Sequence, residues 1–424
     1  MTFPQRIVFL LFAASLLAGV ITGVNLYYRL SYVWLFVIAG SWFMSRLSLR
    51  GISFSRKARS LRAQVGQIFE ERFEIYNSSR MPHLWVEVRD ESELPGTRGS
   101  QVLSTIRGKE SRTYLVRTRL MQRGVFSLGQ TNLAGGDLFG LFPVSRVFPA
   151  QESLLVYPMM VDVQAFPSPV GWLSGGEALR RRTHQITANA AGVRDYSPGD
   201  PLNRIHWLST ARRNKLIVKE FELDPLAEIW IFVDASRYVH CEVTHEPVEL
   251  EERELWRPSV KIPLPPSTVE YSVSIAASLA RFFLQRGRAV GMVYAGRYFS
   301  VLSAERGGRQ MGKILETLAL LHADGKMPLQ ALVDAQVRSL PRGSTVILIT
   351  PSSGNEVTLS AELLSRRGMR PVVVLLDSST FGGSAGADRV EGNLDLMGIP
   401  TCRIVYGADL TTTLSEAARG QTWV

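Results

Sequence analysis

Ile229-Trp230-Ile231-Phe232-Val233-Asp234-Ala235-Ser236-Arg237-Tyr238 is a run of five apolar residues closed by an acid and a small residue. A run this short, β-branched and aromatic, with no polar alternation, reads as a strand buried on both faces. The downstream pattern agrees. Residues 271–286 read as a helix with Ala276, Ala277, Ala280, Phe283 and Leu284 on one side. Residues 290–294 form a second buried run and 311–321 a second helix. Runs at 346–349 and 372–376 flank a helical stretch at 359–367. Strand and helix in alternation predict an α/β domain over 228–424, with a mainly parallel sheet and helices on both faces. A Glu- and Pro-rich insertion, 238–267, reads as a surface loop, with Glu249, Glu251, Glu252 and Glu254 in one run.

Upstream the period changes to two. Leu84, Val86 and Val88 alternate with Trp85, Glu87 and Arg89; Tyr114, Val116 and Thr118 alternate with Leu115, Arg117 and Arg119; Phe73 and Ile75 flank Glu74. Turn signals at Asn77-Ser78-Ser79, Pro95-Gly96, Arg107-Gly108, Arg123-Gly124 and Gly135-Gly136-Asp137 separate these half-exposed strands. Short strands with frequent turns predict a β-sandwich over 63–165.

Between the two lies a linker, 166–227. Its glycine-rich stretch Gly171-Trp172-Leu173-Ser174-Gly175-Gly176 is followed by Arg180-Arg181-Arg182 and has no Lys-Ser/Thr pair, so a connector is favoured over a phosphate cradle. Further on the chain reads Gly192-Val193-Arg194-Asp195-Tyr196-Ser197-Pro198-Gly199-Asp200-Pro201-Leu202-Asn203-Arg204-Ile205-His206-Trp207, then Ala211-Arg212-Arg213. Pro198-Gly199 suits the centre of a type II turn. Asp200-Pro201 suits the cap and first position of a helix. That helix is expected over 202–213, with Ile205, Leu208 and Ser209 on one side. Three roles compete for the segment. Asp200 caps the helix while Arg194 or Arg212 pairs with Asp195 or Asp200; or the polar groups form a docking surface; or they form a catalytic site. His206 stands beside Trp207 with no second His or Cys at metal spacing, so a structural histidine is favoured over an acid, base or ligand. His240, Cys241, Glu242 and His245 are close in sequence but match no metal-ligand spacing.

The first 62 residues fix a location. Residues 7–26 are almost unbroken apolar chain, long enough to span a bilayer. A polar connector is expected at 25–31. A second apolar run, 32–44, spans only by recruiting Leu30, Leu47 and Leu49 with Arg46 snorkelling. A signal peptide is the rival reading, weakened by the second run and the lack of a small-x-small cleavage site. Residues 1–62 hold no Asp or Glu and eight Lys or Arg, most of the net charge of +10. Six of these, Arg46, Arg50, Arg56, Lys57, Arg59 and Arg62, follow the second run, and the last four lie in a basic juxtamembrane linker expected at 51–62. Positive charge on that side predicts an inner-membrane hairpin, 1–50, with both termini and the bulk of the chain cytoplasmic, facing anionic headgroups. The same excess argues against nucleic acid, because a membrane already accounts for where it sits. Cys241 and Cys402 are the only cysteines, so no disulfide framework holds the chain.

The segment from Arg194-Asp195-Tyr196 through Gly199-Asp200 to Ile205-His206-Trp207 and Ala211-Arg212 resembles the signature of the domain-of-unknown-function-58 family of bacterial membrane-associated proteins. The stretches Arg123-Gly124-Val125-Phe126-Ser127-Leu128-Gly129, Asp137-Leu138-Phe139-Gly140-Leu141-Phe142 and Val156-Tyr157-Pro158 resemble what precedes that signature. The C-terminal domain resembles a von Willebrand factor A-type domain. The resemblance implies a MoxR-type AAA ATPase as partner and, in some members, a transglutaminase-like membrane protein. It implies a membrane-anchored adaptor or scaffold without a cofactor, docking through Arg194, Asp195, Tyr196, Gly199, Asp200, His206, Trp207 and Arg212. A-type domains often bind Mg²⁺ through Asp-x-Ser-x-Ser, a distant Thr and an Asp. Here Asp234 and Ser236 match. Tyr238 replaces the last Ser, Asp324-Gly325-Lys326-Met327-Pro328 offers no Thr, and Thr350 is followed by Pro351 where Asp is wanted. A degenerate, metal-free site is expected. Two alternatives stay open: an envelope hydrolase using Asp200 and His206 as an acid–base pair, and a metal-dependent ligand binder using Asp234 and Ser236.

Overall fold

The computed structural model describes residues 3–149, 152–167, 190–197, 205–221, 228–243 and 263–417. The chain is mixed α/β and divides into two compact units. The first comprises Met1–Val161, Val243–Ala277 and Gly312–His322; the second comprises Asp162–Glu242, Ser278–Met311 and Ala323–Val424.

The first unit opens with α1 (Phe3–Thr22) and α2 (Asn25–Ser48), both long and apolar enough to cross a bilayer. The expected polar connector at 25–31 is helical. The chain instead reverses at Gly23, whose φ of +66° suits glycine, and Asn25 opens the next helix. Gly19 lets α1 approach α2: a Cβ there would sit 3.3 Å from the Tyr28 ring.

Ten strands follow: β1 (Ile52–Ala58), β2 (Arg62–Gln64), β3 (Ile68–Asn77), β4 (His83–Asp90), β5 (Gln101–Ile106), β6 (Ser111–Arg119), β7 (Gly124–Ser127), β8 (Thr131–Gly135), β9 (Val144–Phe148) and β10 (Ser153–Tyr157). They form sheets of order β1-β3-β6, β5-β4-β8-β9 and β2-β10-β7. Phe73 and Ile75 of β3, Val86 and Val88 of β4, Val116 of β6 and Leu133 of β8 share one apolar cluster, so the first two sheets contribute to a common core. The period-two reading therefore marks the inward side chains at Phe73, Ile75, Val86, Val88 and Val116, but not at Leu84, which is exposed at the start of β4.

The basic linker expected at 51–62 is largely strand. β1 pairs with β3 from Ile52↔Asn77 to Ala58↔Glu71. Arg56 does not face headgroups. Its Nε donates to Glu71 at 2.7 Å and its guanidinium donates to Asp90 at 2.9 Å, with all three side chains buried.

The second unit carries β11 (Ala190–Asp195), α3 (Trp207–Arg213), β12 (Ile217–Phe221) and β13 (Ile229–Val233). Next come α4 (Thr268–Gln285), which begins in the first unit, then β14 (Val290–Ala295), β15 (Phe299–Glu305) and α5 (Gly308–Ala319), which ends in it. The remainder is α6 (Leu329–Gln336), β16 (Thr345–Thr350), α7 (Glu356–Arg366), β17 (Arg370–Leu376), α8 (Ala387–Leu396), β18 (Thr401–Ile404) and α9 (Leu410–Glu416).

Strands β13 to β18 build a six-stranded sheet of order β15-β14-β13-β16-β17-β18, parallel except for the edge strand β15. Trp230, Phe232, Val346, Leu348, Val373 and Leu375 face one core, covered by Leu329 and Val333 of α6, Ala361 and Leu364 of α7, and Leu394 of α8. The intervening Ile229, Ile231 and Val233 are equally buried. Burial on both faces explains the unbroken apolar run.

The chain lays β14 and β15 on one side of β13, then β16, β17 and β18 on the other. Order therefore reverses between β13 and β16. In open α/β sheets the crevice at the carboxyl ends of strands flanking such a reversal is where ligands bind. Asp234 follows β13 there, and Thr350 ends β16.

Candidate functional site

At this crevice Asp234 is almost fully enclosed. Its Oδ2 accepts from Thr350 Oγ1 at 2.7 Å, and its Oδ1 accepts from the Ser236 backbone N–H at 3.0 Å. Thr350 Oγ1 in turn accepts from the Ser352 N–H, and Ser352 Oγ donates to Glu356 at 2.7 Å. Glu356 lies in the first turn of α7, where the helix dipole favours a carboxylate. Burial pushes the Asp234 carboxyl up to about 6, against the pull of Ser236 and Thr350; the Glu356 charge adds to the rise. The arrangement is a hydrogen-bonded clasp joining β13 to β16.

The loop opposite is held by backbone. Ser236 bridges to Gly325, whose N–H donates to the Ala235 carbonyl at 3.0 Å; Arg237 N–H donates to the Gly325 carbonyl at 2.9 Å. A Cβ on Gly325 would lie 2.0 Å from the Ala295 carbonyl oxygen and 2.8 Å from that of Ala235. Only glycine fits without backbone movement. Gly325→Ala is expected to lower the stability of the second unit by about 1–3 kcal/mol, as overpacking does, read by chemical denaturation with hydrogen exchange at β13 and β14.

The donor set does not fit a divalent cation of the Mg²⁺ kind. Such ions take about six oxygen ligands, carboxylates prominent among them. Asp234, Ser236, Thr350, Ser352 and Glu356 carry oxygens, but both Asp234 oxygens are engaged by Thr350 and Ser236, Glu356 is engaged by Ser352, and Pro351 contributes no side-chain oxygen. Tyr238 turns outward beneath Arg237, whose guanidinium carbon lies 4.9 Å from the ring centroid. Among the described residues no three His, Cys, Asp or Glu side chains come together as a metal group. Arg237 and Lys326 are both exposed. A ligand selective for the folded state must raise its melting temperature. Titration with Mg²⁺ or Mn²⁺ is accordingly expected to leave the thermal transition unmoved.

His240 and Cys241 are occupied locally. The His240 Nε2–H donates to the Asp234 carbonyl at 2.7 Å, and Cys241 Sγ lies 3.8 Å from the Ser378 carbonyl. His245 and the acidic run 249–254 lie outside the described residues, as do Gly171–Gly176 and Arg180–Arg182.

The second candidate is the hairpin of β11 and β12. The strands pair antiparallel from Ala190↔Phe221 to Asp195↔Ile217, with α3 in the connection. Asp195 pairs with Lys215 at 2.8 Å, both exposed. Tyr196 N–H donates to the Leu216 carbonyl at 3.0 Å. Gly199 and Asp200, expected as turn and cap, lie outside the described residues.

The helix expected over 202–213 begins at Trp207, and its cap is His206. His206 Nδ1 accepts from the Ser209 N–H at 3.3 Å and lies 2.7 Å from Ser209 Oγ. Ile205 is buried and bridges Val218, but Leu208 does not share its side. Trp207 and Leu208 are 67% and 61% exposed, and Arg212 and Arg213 are exposed beyond them. Asn214, at φ +53°, ends the helix in the left-handed conformation.

The family described as "Protein of unknown function DUF58" matches residues 192–246. That segment runs from β11 through α3 and β12 to β13 and Asp234, so it holds the α3 surface and the Asp234–Ser236 half of the clasp, while Gly325, Thr350, Ser352 and Glu356 lie beyond it. A relative, "Uncharacterized protein YeaD" of Bacillus subtilis (strain 168), is 23% identical over 227 residues, covering 52% of this chain and 48% of its own. The chain thus spans about half the length of the curated relative it matches.

Solved structures are distant. The CARDB domain of a Pyrococcus furiosus protein aligns with 25% of this chain and 91% of its own at 13% identity and a TM-score of 0.18. A GH20 exo-β-N-acetylglucosaminidase of Vibrio harveyi aligns with 82% of this chain and 60% of its own at 8% identity and the same TM-score of 0.18. Likeness at that level carries no argument about fold or chemistry.

Proposed function

We propose that this chain is a membrane-anchored cytoplasmic adaptor. In this reading the α1–α2 hairpin holds it in the inner membrane, the strands β1–β10 form a β-sandwich, and the six-stranded sheet is a von Willebrand factor A-like platform. Its partner is a MoxR-type AAA ATPase, as the resemblance of the Arg194–Arg212 segment implies, with a transglutaminase-like membrane protein as a further candidate. That link is an analogy of family, and function must be argued from the site.

One observation supports the reading. Within the family-matched segment, α3 offers Trp207 and Leu208 to solvent with Arg212 and Arg213 beside them. Aromatic and arginine side chains are the residue types that dominate binding energy at protein interfaces. His206 meanwhile has one ring nitrogen engaged in capping the same helix. A surface that exposes anchors and assigns its histidine to a cap suits docking better than acid–base catalysis.

Site-specific photocross-linking tests this in cells. A photoreactive residue at Leu208 is expected to trap a MoxR-type ATPase, and one at Leu115, an exposed apolar position on β6, is not. Equal trapping at both positions, or none at Leu208, would count against the docking assignment.

A further inference from the structure

The loop joining β8 to β9 is built in an unusual way for a solvent-facing turn. Asp137 is 1% exposed, and its carboxylate accepts three backbone N–H groups: Phe142 at 2.7 Å, Phe139 at 3.0 Å and Leu141 at 3.2 Å. Gly140, at φ +65°, completes the reversal. This closed, hydrogen-bonded turn buries Leu141 yet holds Leu138 and Phe139 outward, each 63% exposed. Nothing in the loop needs two large apolar side chains at its tip. A turn this firmly capped would hold its shape with polar residues there.

The loop stands beside the last turns of α2. Ser45 Oγ donates to the Phe142 carbonyl at 2.6 Å. A Cβ on Gly135 would lie 3.1 Å from the Leu49 side chain, so the base of the loop closes on the end of the helix. Phe142 and Pro143 line a shallow depression with Trp42, Arg46 and Gln5. Arg46 lies over the Trp42 ring, its guanidinium carbon 5.2 Å from the centroid. An Arg–Trp pair near the end of an apolar helix belongs at the headgroup level. Both ends of the loop therefore sit against α2 at the level of its Trp42 and Arg46.

We infer that the Asp137–Phe142 turn is a membrane-dipping element that places Leu138 and Phe139 in the interfacial layer of the same bilayer leaflet that α2 leaves. The occupant is lipid, because the turn that exposes Leu138 and Phe139 is anchored at both ends to the last turns of an apolar helix, beside basic Arg46 and Arg50, and such a surface suits anionic headgroups over acyl chains. The inference rests on the reading of α1 and α2 as membrane spans.

The test uses the full chain with Cys241 and Cys402 replaced by serine. Single cysteines at Phe139, Val20 and Glu93 are labelled with an environment-sensitive nitrobenzoxadiazole. Each protein is reconstituted in vesicles of phosphatidylcholine and phosphatidylglycerol, with and without lipid carrying a nitroxide high on its acyl chain. Thermal melts confirm that each labelled chain folds like the parent.

The expected result is loss of roughly half or more of the signal at Phe139 and at Val20, with little loss at Glu93. Quenching at Val20 with no more at Phe139 than at Glu93 overturns the inference and leaves the span reading standing. Equal quenching at Glu93 and Phe139 overturns it as well. Absence of quenching at Val20 overturns the span reading, and the inference falls with it. A label at Leu138 repeats the measurement if the Phe139 variant melts early.

Discussion

Arg56→Met is expected to lower the stability of the first unit by about 3–5 kcal/mol at neutral pH, as removal of one partner from a buried ionic group does. The guanidinium contacts Glu71, Asp90 and the Leu128 carbonyl, and its carbon lies 5.0 Å from the Phe73 ring centroid. Burial raises both carboxyls above their ordinary range, and Arg56 is the charge that pulls them down. Without it, two enclosed acids face each other with no compensating cation.

The pH dependence follows. A carboxyl whose folded pKa exceeds its unfolded value contributes stability that is full below the unfolded pKa and lost as pH rises through the folded one. Both acids rise further in the variant. Its loss relative to the parent should therefore widen from mildly acid to neutral pH and narrow on acidification. Removing all three charges at once, with Glu71→Met and Asp90→Leu added, is expected to recover much of the loss, because the network is not fully satisfied: Arg56 Nη2 and Glu71 Oε2 find no hydrogen-bond partner among the described residues. Denaturation of the full chain in detergent checks each variant, with hydrogen exchange at β3 and β4 assigning the transition. A uniform loss across pH would contradict the account.

The second large effect concerns Asp234. With its carboxyl near 6 in the folded chain against an ordinary value of 3.8, the sign is the same as above. Stability from this group is fully present below about pH 4 and is lost as pH rises through about 6. The change is about 3 kcal/mol across that window. Asp234→Asn removes the titration. Its amide oxygen can still accept from Ser236 and its amide nitrogen can face Thr350 Oγ1 in place of the carboxylate. The variant is expected to show a flatter profile between pH 4 and 7.5 and to gain on the parent toward neutral pH. Matched melts of the two chains, with exchange at β13 and β16, make the comparison. Parallel profiles would show that Asp234 does not titrate there.

What could be read in advance follows from burial. Strands enclosed on both faces leave unbroken runs, so β13, β14, β16 and β17 were legible to within a few residues. Helices α4, α5 and α7 carry one apolar side and were legible too. Edge strand β15 and the four-residue β18 lack such runs, and α6, α8 and α9 are short, so none of them stood out.

β1 was hidden by its charges. Arg56, Lys57 and Arg59 look alike in sequence, but Arg56 points into the unit toward Glu71 and Asp90, fifteen and thirty-four residues away. No local pattern announces such a partner. The clasp was half legible: Asp234, Ser236 and Thr350 were singled out as a lapsed ion site, and their joining of two strands needed the sheet order. Gly325 and Asp137 were missed as structural residues. The doublet Gly135-Gly136 before Asp137 was the available hint, because it marks a tight approach that the acid then caps. For α3, Asp200-Pro201 resembles a helix start more than His206 does, yet the described helix opens at Trp207.

Affinity enrichment from native membranes tests the central claim most directly. The full chain would be compared with Trp207→Ala and Leu208→Ser, each shown by thermal melt to fold like the parent, and bound proteins identified by mass spectrometry. The account predicts that a MoxR-type ATPase is recovered with the parent chain and lost with both variants. Recovery of that ATPase at equal levels with folded variants, or its absence from the parent sample, would contradict it.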